Sequence, residues 1–314
     1  MGVLVSISCM TYNHEKYIKD AIEGFLMQKV NFDYEILIGE DCSTDNTRQI
    51  VEKYVEKYPD KIRIITSEKN VGSKKNVLRV HKEANGKYIA VCEGDDYWTD
   101  PLKLQKQVDY MENHPDCSLC YHAAIVVRAD SKVTGKLIRP SKENRIYSTE
   151  DMISWHVLLP TASSIYPKKL MDNPPEFYKN APVGDHPLAI ELSTRGYVYY
   201  MDEVMSAYRV MVKGSWTDRM NSAKLKIEYL YKLLEMLKEF DRYSLYKYSD
   251  VVKKSMIIWE IEKLILEKNF SELKTLRYKE YYDSLNIKRK IKFCARFYFP
   301  DLYFKLYLMK RHWC

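Results

Sequence analysis

Residues 88–98 read YIAVCEGDDYW. Tyr88–Cys92 is a short, partly β-branched apolar run preceded by Gly86, which predicts a buried central strand. The run stops abruptly on Glu93-Gly94-Asp95-Asp96. Three carboxylates therefore crowd onto the C-terminal end of a strand, where like charges repel and each costs free energy to desolvate. A cation relieves such crowding. Hard divalent ions such as Mg²⁺ take oxygen ligands, commonly one or two carboxylates together with substrate phosphates. In open α/β sheets, ligands sit just outside the carboxyl ends of the strands. The stretch thus reads either as a metal and phosphate site or as an acidic turn that ends one strand and caps the next helix.

The flanking sequence sets this strand in an alternating pattern. Val3–Cys9 is a β-branched strand, followed by Thr11-Tyr12-Asn13 with Asn13 as a candidate helix cap. Tyr17, Ile18, Ala21, Ile22, Phe25 and Leu26 then fall on one helical face. A second strand, Tyr34–Gly39, ends on Glu40-Asp41, and the small polar residues 42–47 suit the start of a helix carrying Ile50, Val51, Tyr54, Val55 and Tyr58. Ile62–Thr66 is a third strand, Asn70-Val71-Gly72 a turn, and Ser73–Asn85 a helix closed by Gly86. After the acidic stretch, Asp100-Pro101 opens another helix. Strand and helix alternating with short links predict an α/β fold whose parallel sheet is covered on both faces. Thr11, Asp41 and Asp95 then lie along one sheet edge.

Further on, Cys117–Val127 reads as a long strand, 128–150 as polar loop, Thr161–Tyr166 as a short strand and 174–182 as loop. Gly184-Asp185-His186-Pro187 opens a helix that ends at Gly196, and Tyr197–Tyr200 and Val204–Val210 are strands. From Trp216 to the 270s the pattern is helical, with Leu230, Leu233, Leu234, Leu237, Ile261, Leu264 and Ile265 at core spacing.

The 314 residues are 46% hydrophobic, enough for a sizeable core. Cysteines at 9, 42, 92, 117, 120, 294 and 314 are scattered and odd in number, which suits reduced core residues of a cytosolic protein. The start of the chain lacks the basic and apolar regions of a signal peptide, and no run reaches the length of a membrane span. Residues 286–314 hold eight Lys and Arg against Asp301, a balance equal to the +7 of the whole chain. Residues 1–285 therefore sum to zero, so a general nucleic-acid-binding surface is not indicated for the main body.

VSISCMTYN (5–13), EDCSTDNT (40–47), NVG (70–72), EGDDYWTDP (93–101) and GDHP (184–187), in this order and spacing, resemble family 2 glycosyltransferases. The resemblance covers about residues 3–216. It implies the GT-A fold: a Rossmann-like, mixed, mostly parallel sheet sandwiched by helices. It also implies a nucleotide-sugar donor, usually UDP-linked, a divalent metal (Mg²⁺ or Mn²⁺) and inversion at the anomeric carbon. By the same resemblance Thr11 and Tyr12 contact the base and ribose, and Asp41 accepts the uracil N3–H. Asn70 and Lys74 border the nucleotide. Asp96 is the metal ligand, with Asp95 as ribose and metal partner, and Glu93 is a carboxylate able to exchange roles with either. Asp185 is the catalytic base, in a sequence that is also a good helix start. Arg209 and Trp216 belong to the strand and loop that close over the diphosphate. Met211 stands where many relatives carry a histidine, and a thioether is a poor ligand for a hard cation.

The tail interleaves its cations with Phe293, Phe297, Tyr298, Phe299, Tyr303, Phe304, Tyr307 and Trp313. Basic aromatic helices lie in the membrane interface and are drawn to anionic lipid; docking on the domain is the plainer alternative. The expected organisation is a catalytic domain over 1–216 and a helical extension over 217–314. The expected activity is transfer from a UDP-sugar to a hydroxyl of a saccharide or lipid-linked glycan, on the inner face of the plasma membrane. Two other classes fit the composition. A metal-dependent nucleotidyltransferase would carry a glycine-rich phosphate loop after its first strand, and Thr11–Lys16 contains no glycine. A non-catalytic nucleotide-sugar-binding relative would have no need of Asp185 alongside Asp41, Asp95 and Asp96.

Overall fold

The computed structural model describes residues 2–154, 159–269 and 271–299. The chain divides into two compact units, residues 1–179 with 183–212, and residues 180–182 with 213–314.

The first unit is a ten-stranded mixed sheet flanked by helices. Its elements are β1 (Val5–Thr11), α1 (Ile18–Leu26), β2 (Tyr34–Glu40), α2 (Thr47–Lys57), β3 (Ile62–Ile65), α3 (Ser73–Glu83), β4 (Tyr88–Val91), β5 (Tyr97–Trp98), α4 (Lys103–Asn113), β6 (Cys117–Arg128), β7 (Val133–Ile138), β8 (Arg145–Tyr147), α5 (Thr149–Ser154), β9 (Ile165–Pro167), α6 (Glu176–Asn180), α7 (Asp185–Arg195) and β10 (Tyr197–Val210). The strand order is β3-β2-β1-β4-β9-β6-β10-β5, with β7 on β6 and β8 on β10. The first four strands run parallel, as do β6 and β10, while β9 and β5 are antiparallel to their neighbours. This is the mixed, mostly parallel sheet that the family resemblance implies, and its four parallel strands are those the alternating pattern predicts.

β1 and β2 are buried along their whole length, as central strands covered on both faces must be. Ile18, Ala21, Ile22 and Phe25 of α1 pack into the same core as Ile7, Ile36, Ala90 and Trp98. One buried polar pair ties these strands together: Ser6 Oγ donates to Glu35 at 2.6 Å and accepts from the Gly86 N–H at 2.8 Å.

Several local expectations are corrected. Asn13 does not cap α1; it adopts φ 57°, and its side chain accepts from the Thr44 N–H at 2.8 Å, tying β1 to the loop after β2. Gly86 does not close α3. It is glycine because β4 crosses close against β1: a Cβ there would lie 2.7 Å from the Val5 carbonyl carbon and nearer still to the Ser6 nitrogen. Main-chain atoms of a central strand cannot yield, so Gly86→Ala is expected to cost about 3 kcal/mol, at the upper end of overpacking. That lowers the melting temperature by roughly 6–12 °C; a shift below about 2 °C would show that the strands can separate.

The polar stretch 128–150 is not loop throughout, since β7 folds back on β6 and β8 pairs with β10. Thr161–Ser163 is a 3₁₀ turn before β9, and 176–180 is helical. The two strands expected after Gly196 are one, β10, whose register with β6 is interrupted near Met201–Val204.

The second unit is helical: α8 (Trp216–Arg219), α9 (Ala223–Tyr243), α10 (Ser249–Leu266), α11 (Leu276–Ser284) and α12 (Ile287–Tyr298). Leu230, Leu233, Leu234 and Leu237 of α9 and Ile261, Leu264 and Ile265 of α10 are buried, as their spacing predicts. Tyr282 meets Cys294 at 3.4 Å and the Phe293 ring at 5.2 Å, seating α12 against α11. Ile287, Ile291 and Tyr298 are exposed. Residues 300–314 of the basic tail lie outside the described residues. Among the described residues no helix is long and apolar enough to cross a membrane. The six cysteines described are all free.

Candidate active site

The ends of β1, β2 and β4 are drawn together by main-chain bonds. The Asp41 N–H donates to the Thr11 carbonyl at 3.1 Å and the Gly94 N–H to the Met10 carbonyl at 2.9 Å. A tight turn follows, the Asp96 N–H donating to the Glu93 carbonyl at 3.1 Å. From β10, the Arg209 N–H donates to Asp96 Oδ1 at 2.7 Å. The structure thus brings Thr11, Asp41, Asp95, Asp96 and Arg209 to one edge of the sheet.

Arg209 is 2% exposed, and its guanidinium braces this edge from within. It donates to the Asp95 carbonyl, Ser131 Oγ and Asp20 Oδ2, each at 2.8 Å, between the rings of Tyr17 and Tyr97. Its fork holds the acidic turn in place rather than standing open toward a phosphate. Asp41 is similarly engaged, accepting from the Val71 and Gly72 N–H groups at 2.8 Å each. It folds the loop that carries Asn70, whose own Oδ1 accepts from Gly72 at 3.1 Å. The cap of α2 comes instead from Asp45, which accepts from the Thr47 N–H at 2.9 Å. Lys74 donates to the carbonyls of Tyr178 and Lys179, at 2.8 and 3.0 Å. Tyr12 is exposed at the end of β1. Trp216 belongs to the second unit, where its ring meets Tyr229 edge-on at 5.5 Å.

Asp185 is the first residue of α7, and its Oδ1 accepts from the His186 N–H at 2.8 Å. Burial pushes its carboxyl up. Burial, then the charges of Asp95 and Asp185, push Glu93 up; burial, Asp95 and Glu93 do the same to Asp96, against the pull of Arg209. Tyr208 is raised first by burial, then by the field of Asp96, Glu93, Asp95 and Asp185. Four carboxylates from two separate elements therefore share one field, and burial, joined by mutual repulsion at Glu93 and Asp96, raises three of them. His186 is buried and pushed down to about 3, a neutral core residue that meets the Met152 carbonyl at 3.2 Å.

Glu93 Oε2 is buried without a hydrogen-bond partner, as are Thr11 Oγ1 and His14 Nδ1. Among the described residues, no three His, Cys, Asp or Glu side chains are arranged to hold a metal ion by themselves. The available ligands are hard carboxylate oxygens, one of them orphaned, in mutual repulsion. That set fits Mg²⁺ or Mn²⁺ taking its remaining ligands from a diphosphate and water. Met211, at φ 63° and half exposed, adds no ligand for such an ion.

Sequence reasoning missed that the field of all four carboxylates reaches Tyr208, and that Asp20, Tyr17 and Tyr97 pack around Arg209. It also missed His14, whose Nε2 lies 3.9 Å from Asp95 Oδ2. None of these forms a motif; each is read only once strands distant in sequence are neighbours.

Comparison with known proteins follows the same lines. The structure of S. aureus TarS 1–349 in complex with UDP-GlcNAc matches with a TM-score of 0.62 at 16% identity, covering 94% of this chain and 79% of that one. That likeness establishes the GT-A fold. TuaG of Bacillus subtilis, a glycosyltransferase provisionally named for teichuronic acid biosynthesis, is 32% identical over 135 residues, 43% of this chain and 52% of TuaG. An uncharacterized protein of Mycobacterium tuberculosis is 34% identical over 223 residues, 68% of this chain. This chain spans 62% of that relative's length. The family model described as glycosyl transferase family 2 matches residues 6–166. By that match, and by an identity sustained over two thirds of its length, the chain belongs to glycosyl transferase family 2.

Proposed function

We propose that this chain transfers a sugar, with inversion, from a UDP-sugar to a hydroxyl of a saccharide acceptor in surface polysaccharide or lipid-linked glycan synthesis. One observation carries the reading: Asp185, from α7, shares a field with the acidic turn after β4. An inverting transfer needs a carboxylate to take the acceptor proton and, opposite it, an acidic edge that would hold a cation to stabilise the departing diphosphate. Asp185 is the base, and its raised carboxyl is closer to the proton-accepting range than an ordinary aspartate. Thr11, Tyr12 and Asp41 receive the base and ribose, with Asn70 on the bordering loop and Lys74 in the first turn of α3. Asp96 and Asp95, with Glu93 beside them, hold the divalent cation. When bound, that ion supplies Lewis-acid stabilisation of the leaving diphosphate. Arg209 fixes the position of both aspartates.

A thermal-shift panel of UDP- and GDP-sugars with and without Mn²⁺ tests the donor reading. A ligand near 100 times its Kd adds about 2.7 kcal/mol, so the UDP-sugar with Mn²⁺ is expected to raise the melting temperature by roughly 5–10 °C. Asp96→Ala should remove the Mn²⁺-dependent part. A wild type that responds to no nucleotide-sugar overturns the proposal, and an unchanged Mn²⁺ response in the variant overturns the role of Asp96.

The α12 helix supports a membrane surface as the second partner and an inner-face, peripheral location. Ile287, Ile291 and Tyr298 recur at helical spacing and are exposed, with Lys288 and Lys290 beside them. Flotation on vesicles containing anionic lipid is expected for the wild type and not for the Ile287→Asp/Ile291→Asp double variant. Equal flotation would remove the claim.

A further inference from the structure

His14 is held in the site by a prepared backbone. The N–H groups of Asn13, His14 and Glu15 donate to Ser43 Oγ, Thr47 Oγ1 and Asp45 Oδ2, at 3.0, 2.8 and 3.1 Å. These are the side chains of the loop after β2, so the segment leaving β1 is fixed where the acidic turn lies. The imidazole is mostly buried, at 17% side-chain exposure. Its Nε2 stands 3.9 Å from Asp95 Oδ2, too far for a hydrogen bond and close enough for both to meet one shared atom. Its Nδ1 is buried with no partner. Thr11 Oγ1, on a residue 2% exposed, is likewise buried with no partner. Both atoms crowd one spot: a Cβ on Gly94 would lie 2.7 Å from Thr11 Oγ1 and 3.0 Å from His14 Nδ1.

A buried ring nitrogen without a partner costs free energy, and a histidine facing a carboxylate would ordinarily recover it by pairing directly with that group. His14 does not, and the orphaned threonine hydroxyl beside it repeats the signal. We infer that His14 Nε2 is a ligand, together with Asp95, of the divalent cation in this site, and that the ring, unpaired here, turns its Nδ1–H onto Thr11 Oγ1 when the ion binds. A metal-bound imidazole needs such an acceptor to fix its tautomer. The site thereby gains from β1 the nitrogen ligand that Met211 withholds from the end of β10. One nitrogen among oxygens favours Mn²⁺ or Co²⁺ over Mg²⁺, which prefers an all-oxygen shell. His14 is thus a residue that sets metal preference. The inference rests on the nucleotide and metal reading proposed above.

The test uses the full chain with UDP, titrated with Mn²⁺ and with Mg²⁺ by calorimetry. Pulsed electron paramagnetic resonance of the Mn²⁺ complex reads the imidazole nitrogen directly. The wild type is expected to show nitrogen modulation. In His14→Ala the modulation disappears, Mn²⁺ affinity falls at least about tenfold and Mg²⁺ affinity moves less than about threefold. Thr11→Val keeps the imidazole and is expected to keep the modulation with weakened Mn²⁺ binding. Melting curves without metal confirm that both variants are folded. If the wild type binds Mn²⁺ without nitrogen modulation, or His14→Ala retains it, or both metals weaken equally, the role of His14 is overturned while the metal site stands. If the wild type binds no Mn²⁺ in the presence of UDP, both readings fall.

Discussion

A Lys103→Met variant is expected to melt at a higher temperature than the wild type at pH 7, by a margin that shrinks as the pH rises. Lys103 opens α4 and is fully buried. Its Nζ lies 3.9 Å from the Trp98 ring centroid and has no hydrogen-bond partner. Burial pushes the ammonium down to about 7 from 10.5, opposed only in part by the thiols of Cys92 and Cys120. The unfolded chain therefore holds a proton that the folded chain has lost between those two values. Wherever the unfolded state binds more protons, stability rises with pH. The lysine thus weakens the fold fully at and below pH 7, and the penalty fades as pH climbs toward 10.5. At about 1.4 kcal/mol per unit the ceiling is about 5 kcal/mol. Half of that would raise the midpoint by roughly 5–10 °C. Methionine keeps the unbranched length and removes the charge. Paired melts of the two proteins at pH 7 and pH 9.5 decide it. A variant no more stable at pH 7, or a gap that does not narrow, would show that the amine is better solvated than its burial implies.

The same lysine shows where sequence reading stops. Asp100-Pro101 marks the start of a helix but does not tell which face Lys103 takes. It is buried because α4 begins two residues later than that start and turns Lys103, Leu104, Gln107, Val108 and Met111 toward the sheet. By contrast, β1, β2 and β4 are legible because a strand covered on both faces is rich in apolar residues, and Val5, Ile7, Cys9 and Met10, then Ile36–Ile38, then Tyr88–Val91 supply them. Asp41, Asp95 and Asp96 are legible as candidates because carboxylates at strand ends are costly without a purpose. What they touch is not legible. Arg209 looks like an open phosphate fork until Asp20 and Ser131, 189 and 78 residues away in sequence, are found holding it. Gly86 looks like a helix stop because the sequence does not show that β1 passes beside it. The β7 hairpin was hidden for a similar reason: its strand is short, mostly exposed and carries Gly135, and it pairs because β6 offers an edge.

Asp185→Asn carries the largest expected effect on activity. The carboxylate is the group we assign to take the proton from the acceptor hydroxyl. An amide keeps the shape and the bond from the His186 N–H, which is made to Oδ1 at 2.8 Å, but it cannot accept a proton. Loss of a general base costs on the order of 10²–10⁴-fold in rate. The substitution also removes one of the charges that raise Glu93 and Tyr208. The acidic turn is then less crowded, and Mn²⁺-dependent binding of UDP is expected to stay within about threefold of the wild type, because a base acts in the transition state rather than in ground-state binding. The two measurements separate the possible roles. Rate loss with intact UDP affinity places Asp185 at the acceptor. Rate and UDP affinity falling together would make it a part of the nucleotide site and leave the base to be found elsewhere. A rate within about tenfold of the wild type would show that the acceptor proton leaves by another route.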